Sequence, residues 1–269
     1  MAGKVDPNDQ RKLTDFKLLS FDVYCTLIDE KSGIFTNLRP LLTRLPEPQK
    51  SHYQTNRTLT LSEFQTHEHR YQKDQPTLPY PRILHLAYLS FASSLSPNPN
   101  PNPNLQSELE AEAALFAQSI PTWPAFPDTL PALQILSQYY KLVILSNIDE
   151  ASIAGTIKNH MDISWDAVYT AEKIGSYKPD LRNFEYLIQH VGDDLGVKKE
   201  EILHTAQSLR ADHVAVKRMD MNGVWIDRGN EGQDYEKLKD EVAYAWKFST
   251  LGEMADAVEE AFKAEGKKE

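Results

Sequence analysis

The sequence predicts an α/β fold: a doubly wound, Rossmann-like parallel sheet core with a helical cap inserted after the first strand. Three observations predict it. Four short apolar runs, "KLLSFDV" (17–23), "KLVILSN" (141–147), "EILHTA" (201–206) and "GVWIDR" (223–228), are apolar on both faces, as parallel strands covered by helices on each side must be. Helical patterns alternate with the later runs. The span 33–125 reads as helices with no clear strand and interrupts the alternation. The expected organisation is a core over 14–32 and 126–269 and a cap over 33–125.

Each element has a local reason. "PDTLPALQILSQYY" sets Asp128 where an N-cap belongs, followed by apolar residues at helical spacing. "DLRNFEYLIQHV" follows a Lys-Pro pair, and "LRADHVAVKRMDM" follows the third run. In the cap, "LSEFQTHEHRYQKD", "YPRILHLAYLSFASSL" and "LQSELEAEAALFAQSI" read as helices. The Pro-Asn repeat "SPNPNPNPN" (96–104) reads as an exposed extended loop, because proline lacks an amide donor and disfavours helix at the residue before it. The polar first dozen residues read as a frayed end.

Composition narrows the function classes. The chain has 269 residues, 41% hydrophobic and 25% charged, enough for a large core or a core with a subdomain. A net charge of −10 without a basic stripe argues against nucleic acid and anionic membranes as partners. Cys25 is the single cysteine, which excludes an intrachain disulfide. With no signal-peptide pattern and no apolar run near membrane-spanning length, a cytoplasmic chain is expected.

Folds of this class place ligands beyond the carboxyl ends of their strands. Asp22, Ser146, Asn147, Gln207 and Ser208 sit there. Apolar strand, Asp22, two residues, Cys25, Thr26 and Leu27 resemble the first motif of the haloacid dehalogenase (HAD) superfamily. "VILSN", ending in Ser146–Asn147, resembles the second motif, "GSYKPD" with Lys178 the third, and "LHTAQSLRADHVAVKRMDMNGVWIDR" the fourth. Four motifs in order cover nearly all of 15–230.

The resemblance implies a carboxylate nucleophile, Asp22, which at a reference pKa of about 3.9 is ionised at neutral pH and needs placing rather than deprotonating. Lys178 would set a cation beside it. Thr26 and Ser146 would hold its oxygens, and Asn147 would donate to substrate. In the phosphatases of the superfamily the residue two after the nucleophile is usually an aspartic acid that protonates the leaving alkoxide. Here it is Tyr24, with a reference pKa of about 10. Halide leaves without a proton, and Asp-x-Tyr is the arrangement of the type II L-2-haloacid dehalogenases. Gln207 replaces the first carboxylate of the phosphatase fourth motif, and a neutral amide is a weaker Mg²⁺ ligand. Asp212 is the candidate base for the water that hydrolyses the aspartyl ester.

The implied function is a hydrolase that displaces halide from a 2-haloacid to give a 2-hydroxy acid, with Tyr24, Thr26, Gln207 and Ser208 at the substrate and no cofactor. The expected substrate is a small acidic molecule, and a homodimer is left open. The alternatives are a HAD-type phosphatase for a small phosphorylated metabolite, with Mg²⁺, and a specialised-metabolism enzyme or binding module on the same fold. The chain departs from the family pattern at Cys25, where glycine is usual, and at Phe184, where tyrosine is usual. Gln207 and Asp212 are also five residues apart. No motif singles out a substrate arginine among Arg39, Arg44, Arg57 and Arg70.

Overall fold

A computed structural model describes residues 11–75, 77–96, 103–229 and 232–266, with no side-chain detail at 232–234. Residues 1–10 of the polar start and 97–102 of the Pro-Asn repeat lie outside the described residues.

Six parallel strands form one sheet: β1 (Leu18–Phe21), β2 (Lys141–Ser146), β3 (Ala167–Thr170), β4 (Ile202–Ala206), β5 (Asn222–Ile226) and β6 (Trp246–Phe248). Their order is β3-β2-β1-β4-β5-β6. The order reverses between β1 and β4, which makes that pair the switch point where a crevice opens. The four apolar runs of the sequence supply β1, β2, β4 and β5. The edge strands β3 and β6 were not legible as strands: "AVYT" and "WKF" are short and each leaves residues partly exposed, so neither presents a continuous apolar run.

On one face of the sheet Leu18, Val143, Leu145 and Ile202 pack against Phe184, Leu187 and Val191 and against Ala215 and Val216. These come from the helix Leu181–Leu195 and the helix Val214–Arg218. Asp180 caps the first of these, its carboxylate accepting from the Arg182 amide at 3.0 Å. Asp128 does not cap the helix it precedes, Thr129–Leu136. Its carboxylate pairs with Arg228 at 2.8 Å and accepts the Leu251 and Gly252 amides at 2.8 and 3.1 Å. It therefore serves the N-terminus of another helix, Leu251–Ala264. An ion pair with a guanidinium and two amides at a helix N-terminus outbid a single local cap.

The chain divides into two compact units. One holds the sheet: residues through Ile28, Ala125–Asn147 and His160 onward. The other is helical: Asp29–Pro124 together with Ile148–Asn159. The helical unit contains the helices Arg57–Asp74, Tyr80–Leu95 and Pro103–Gln118. It also takes in most of the helix Glu150–His160, since Asn159 donates to the Pro121 carbonyl at 2.8 Å. Among the described residues no helix is long and apolar enough to cross a membrane.

Candidate active site

The strand ends of the switch point bring three charged side chains together. The Asp22 amide donates to the Thr205 carbonyl at 3.1 Å, which carries the β1–β4 ladder one residue past β1. From there the carboxylate emerges at the sheet's carboxyl end. Lys178 Nζ donates to Asp22 Oδ1 at 2.8 Å, to Asp212 Oδ1 at 2.7 Å and to the Leu145 carbonyl at 3.0 Å. All three ammonium donors are thus used, and the lysine is 4% exposed. Thr26 Oγ1 donates to Asp22 Oδ2 at 2.6 Å and accepts the Gln207 amide at 2.9 Å. Asp22 is fixed at both oxygens.

The loop Val23–Ile28 that presents Thr26 is tightly turned. The Thr26, Leu27 and Ile28 amides all donate to the Val23 carbonyl. Cys25 lies at φ +66°, the left-handed region in which a Cβ is unfavourable. This is the physical reason for glycine at that slot in the superfamily pattern. Arg228 Nε donates to the Thr26 carbonyl at 2.7 Å, so the Arg228–Asp128 pair also braces this loop.

Asn147 and Ser146 differ from their expected roles. Asn147 does not present its amide as a substrate donor. Nδ2 donates to the Lys178 carbonyl at 3.0 Å and Oδ1 accepts the Lys178 amide at 2.6 Å. Both ends of the amide hold the lysine's backbone, beside a cis Lys178–Pro179 bond. Ser146 is 2% exposed, and its Oγ has no hydrogen-bond partner among the described residues. It does not donate to Asp22, whose two oxygens accept from Lys178 and Thr26. Ser208 Oγ accepts the Ala211 amide at 3.0 Å and so caps the turn that follows it. Gln207 is anchored through its backbone, whose carbonyl accepts from Trp225 Nε1 at 3.0 Å. Tyr24 lies within the loop Val23–Ile28 and is half-buried.

Asp212 lies in a π-helical turn, Leu209–His213, with 0% exposure. Single π turns recur at functional sites. Asp212 Oδ1 receives two donors, Lys178 Nζ and His204 Nε2, the latter at 2.8 Å. Asp212 Oδ2 has no partner among the described residues. His204 Nδ1 meets Ser20 Oγ at 2.8 Å. Ser20 and His204 face each other in register on β1 and β4, and both are fully buried. Sequence reading missed this pair. Its signal was present: a serine and a histidine inside strands that are otherwise wholly apolar. His213 lies against the same turn, its ring nitrogens 3.1 Å from the Ala206 and Ala243 carbonyls, of which a neutral ring donates to one. Burial pushes its imidazole down to about 4, so it is neutral at pH 7.

The two carboxylates titrate apart. Burial raises Asp22, Lys178 offsets this, and Asp212 adds to the rise. Asp212 is also opposed by burial, but Lys178 and His204 overcome it and bring Asp212 down to about 2. Lys178 is raised, because its two carboxylates outweigh the cost of burial. At pH 7 Asp212 is therefore an ionised carboxylate beside the Lys178 ammonium.

Asp22 Oδ1 and Asp212 Oδ1 are taken by the ammonium and Gln207 is neutral, whereas Mg²⁺ is held through carboxylates in near-ideal octahedral geometry. No group of three or more metal-ligating side chains occurs among the described residues.

Three of the four candidate arginines are paired within the helical unit. Arg44 binds Glu108 at 2.7 Å and Glu112 at 2.5 Å. Arg57 donates to Ser32 at 2.8 Å, and Arg70 donates to Ser90 at 2.8 Å.

The chain shares its fold with solved L-2-haloacid dehalogenases and with a putative HAD-hydrolase. It is similar to the L-2-haloacid dehalogenase of Xanthobacter autotrophicus, with 17% identity, a TM-score of 0.67, and coverage of 91% of this chain and 98% of that one. The same enzyme with chloropropionic acid covalently bound matches at 17% identity and a TM-score of 0.65, covering 91% and 98%. The putative HAD-hydrolase YfnB of Bacillus subtilis, bound to magnesium, matches at 16% identity and a TM-score of 0.64, covering 91% and 99%. Neither the family models nor the curated proteins give a match to this chain.

Proposed function

We propose that the protein is a hydrolase that displaces halide from a small 2-haloacid through an ester on Asp22. The observation that carries this reading is the Asp22 carboxylate held at both oxygens by Lys178 and Thr26, with Tyr24 in place of an acid two residues on. An Asp22 oxygen attacks the halogen-bearing carbon and the carbon–halogen bond breaks, releasing halide. Water then attacks the Asp22 carbonyl carbon, giving its proton to Asp212. The tetrahedral species collapses with cleavage of the bond from that carbon to the ester oxygen. The 2-hydroxy acid leaves with the proton from Asp212, and Asp22 is restored as a carboxylate when the remaining hydrogen of the water, now on its carboxyl group, is lost to solvent as a proton. Lys178 keeps its charge throughout and offsets the anionic substrate. The covalent chloropropionic acid complex of the Xanthobacter enzyme, with its similar fold, supports this reading. The neutral Gln207 counts against a Mg²⁺-dependent phosphatase.

The test is a single turnover of excess enzyme with 2-chloropropionate in H₂¹⁸O. One ¹⁸O is expected in the Asp22 carboxylate and none in the first 2-hydroxy acid released. An unlabelled Asp22 after turnover sinks the reading, and Mg²⁺-dependent release of inorganic phosphate from phosphoesters would replace it.

A further inference from the structure

We infer that His204, tethered by Ser20, is a positioning residue for the hydrolytic half of the reaction: it aims the second oxygen of Asp212 at the attacking water. This rests on the displacement reading above. His204 is buried within β4 and touches Asp212 through one ring nitrogen and Ser20 through the other. Since Asp212 is an ionised carboxylate, it only accepts, and the hydrogen in the His204–Asp212 contact belongs to Nε2. In the neutral ring Nδ1 then accepts from the Ser20 hydroxyl. Phe184 closes on the imidazole edge-on at 5.2 Å, so the ring is held by packing as well.

The consequence lies in how the donors are distributed. Both Lys178 and His204 donate to the same oxygen of Asp212, and Oδ2, itself buried, has no donor among the described residues. A lysine alone leaves a carboxylate free to turn about its last torsion and share its donor between the two oxygens. A second donor on Oδ1 from a different direction fixes the carboxylate plane. Oδ2 is then left as the unpartnered acceptor with a defined direction, as orientation by a neighbour is what general-base catalysis requires. Asp22 shares Lys178 with Asp212 but takes its other donor from Thr26, and the His204 hydrogen bond goes to Asp212. Loss of His204 should therefore spare the first displacement and slow ester hydrolysis.

The experiment follows ester formation and decay by rapid quench and intact mass with 2-chloropropionate. It uses the wild type, His204→Phe, His204→Gln and Ser20→Ala. In His204→Phe, hydrolysis is expected to fall about 100-fold, the lower end of what a positioned base supplies, while the ester forms at the wild-type rate and accumulates. With hydrolysis limiting, kcat and KM fall together and kcat/KM stays unchanged. His204→Gln keeps a donor near the Nε2 position and is expected to recover much of the hydrolysis rate. Ser20→Ala, which removes only the second tether, is expected to slow hydrolysis by up to about tenfold and serves if His204→Phe does not fold. Ester in the wild type with no accumulation in either folded variant overturns the inference. So does an equal slowing of both half-reactions. A wild type that never forms ester overturns the displacement reading, and this inference with it.

Discussion

Asp22 and Asp212 share one ammonium that favours the charged form of both, yet only Asp212 ends below its ordinary value. Asp212 adds His204 to Lys178, while Asp22 is raised by burial and by Asp212 itself. A nucleophile raised above its ordinary range loses its charge as pH falls, so the acid limb of kcat/KM, measured with 2-chloropropionate, is expected above the ordinary aspartate value. An acid limb at or below the ordinary value of 3.8 would show that Asp22 is not raised. Asp22→Asn should form no ester, yet its melting temperature should hold or rise, because it removes a buried charge repelled by Asp212 and leaves Lys178 paired to Asp212. A marked drop in melting temperature would mean that Asp22 is needed for the fold. Cys25 offers a separate reading of backbone cost. At φ +66° its Cβ is crowded, so Cys25→Gly should stabilise by about 1 kcal/mol, less the added freedom of the unfolded glycine. The urea midpoint decides it: a lower midpoint for the variant refutes backbone relief.

At the scale of elements, the site is assembled from the turns that follow four neighbouring strands. Asp22 follows β1, Asn147 follows β2, Lys178 lies beyond β3 and Asp212 beyond β4. Asn147 joins two of these turns with a pair of hydrogen bonds to the Lys178 backbone. Asn147→Ala is therefore expected to cost about 1–3 kcal/mol, since the Lys178 amide and carbonyl lose their partner, and to slow ester formation because the ammonium is no longer held against Asp22. Unchanged rapid-quench rates with a normal melt would remove Asn147 from the support of Lys178. The order of these turns was legible in the sequence because β1, β2, β4 and β5 are buried on both faces and announce themselves as apolar runs. Asp22 was legible because a charge next to such a run is conspicuous, and Lys178 because "GSYKPD" resembles the third family motif. The edge strands were not, since a strand with one neighbour needs no apolar run. The roles of Asn147 and Ser208 were not legible either. Amide and hydroxyl side chains bind backbone as readily as ligand, and only the fold decides which is within reach. His204 could have been flagged, because a histidine in the middle of a buried strand must find a partner.

At the scale of the whole molecule, stability should peak in mild acid, for opposite reasons in the two units. In the sheet unit Asp212 is depressed to about 2. Its contribution is present above the unfolded value near 4 and is lost as pH falls through about 2. In the helical unit Glu68 is 6% exposed, and burial followed by the nearby Glu30 raises it to about 8. Tyr80 lies between these acids, its hydroxyl 2.9 Å from an oxygen of each. One phenolic hydrogen serves only one acceptor at a time, and Tyr80 itself is raised well above 10 by burial and the two acids, so it stays a neutral phenol. A raised acid stabilises fully below its unfolded pKa, and that contribution is lost as pH rises through the folded value. The helical unit should weaken from about pH 4.5 to about pH 8, by on the order of a few kcal/mol. Glu68→Gln keeps the shape and an acceptor for Tyr80 but cannot ionise. Calorimetric melting at pH 5 and pH 8 should show a drop for the wild type and little or none for Glu68→Gln, which melts higher than the wild type at pH 8. Equal slopes for the two proteins would place the pH dependence elsewhere and leave Glu68 ionised without cost.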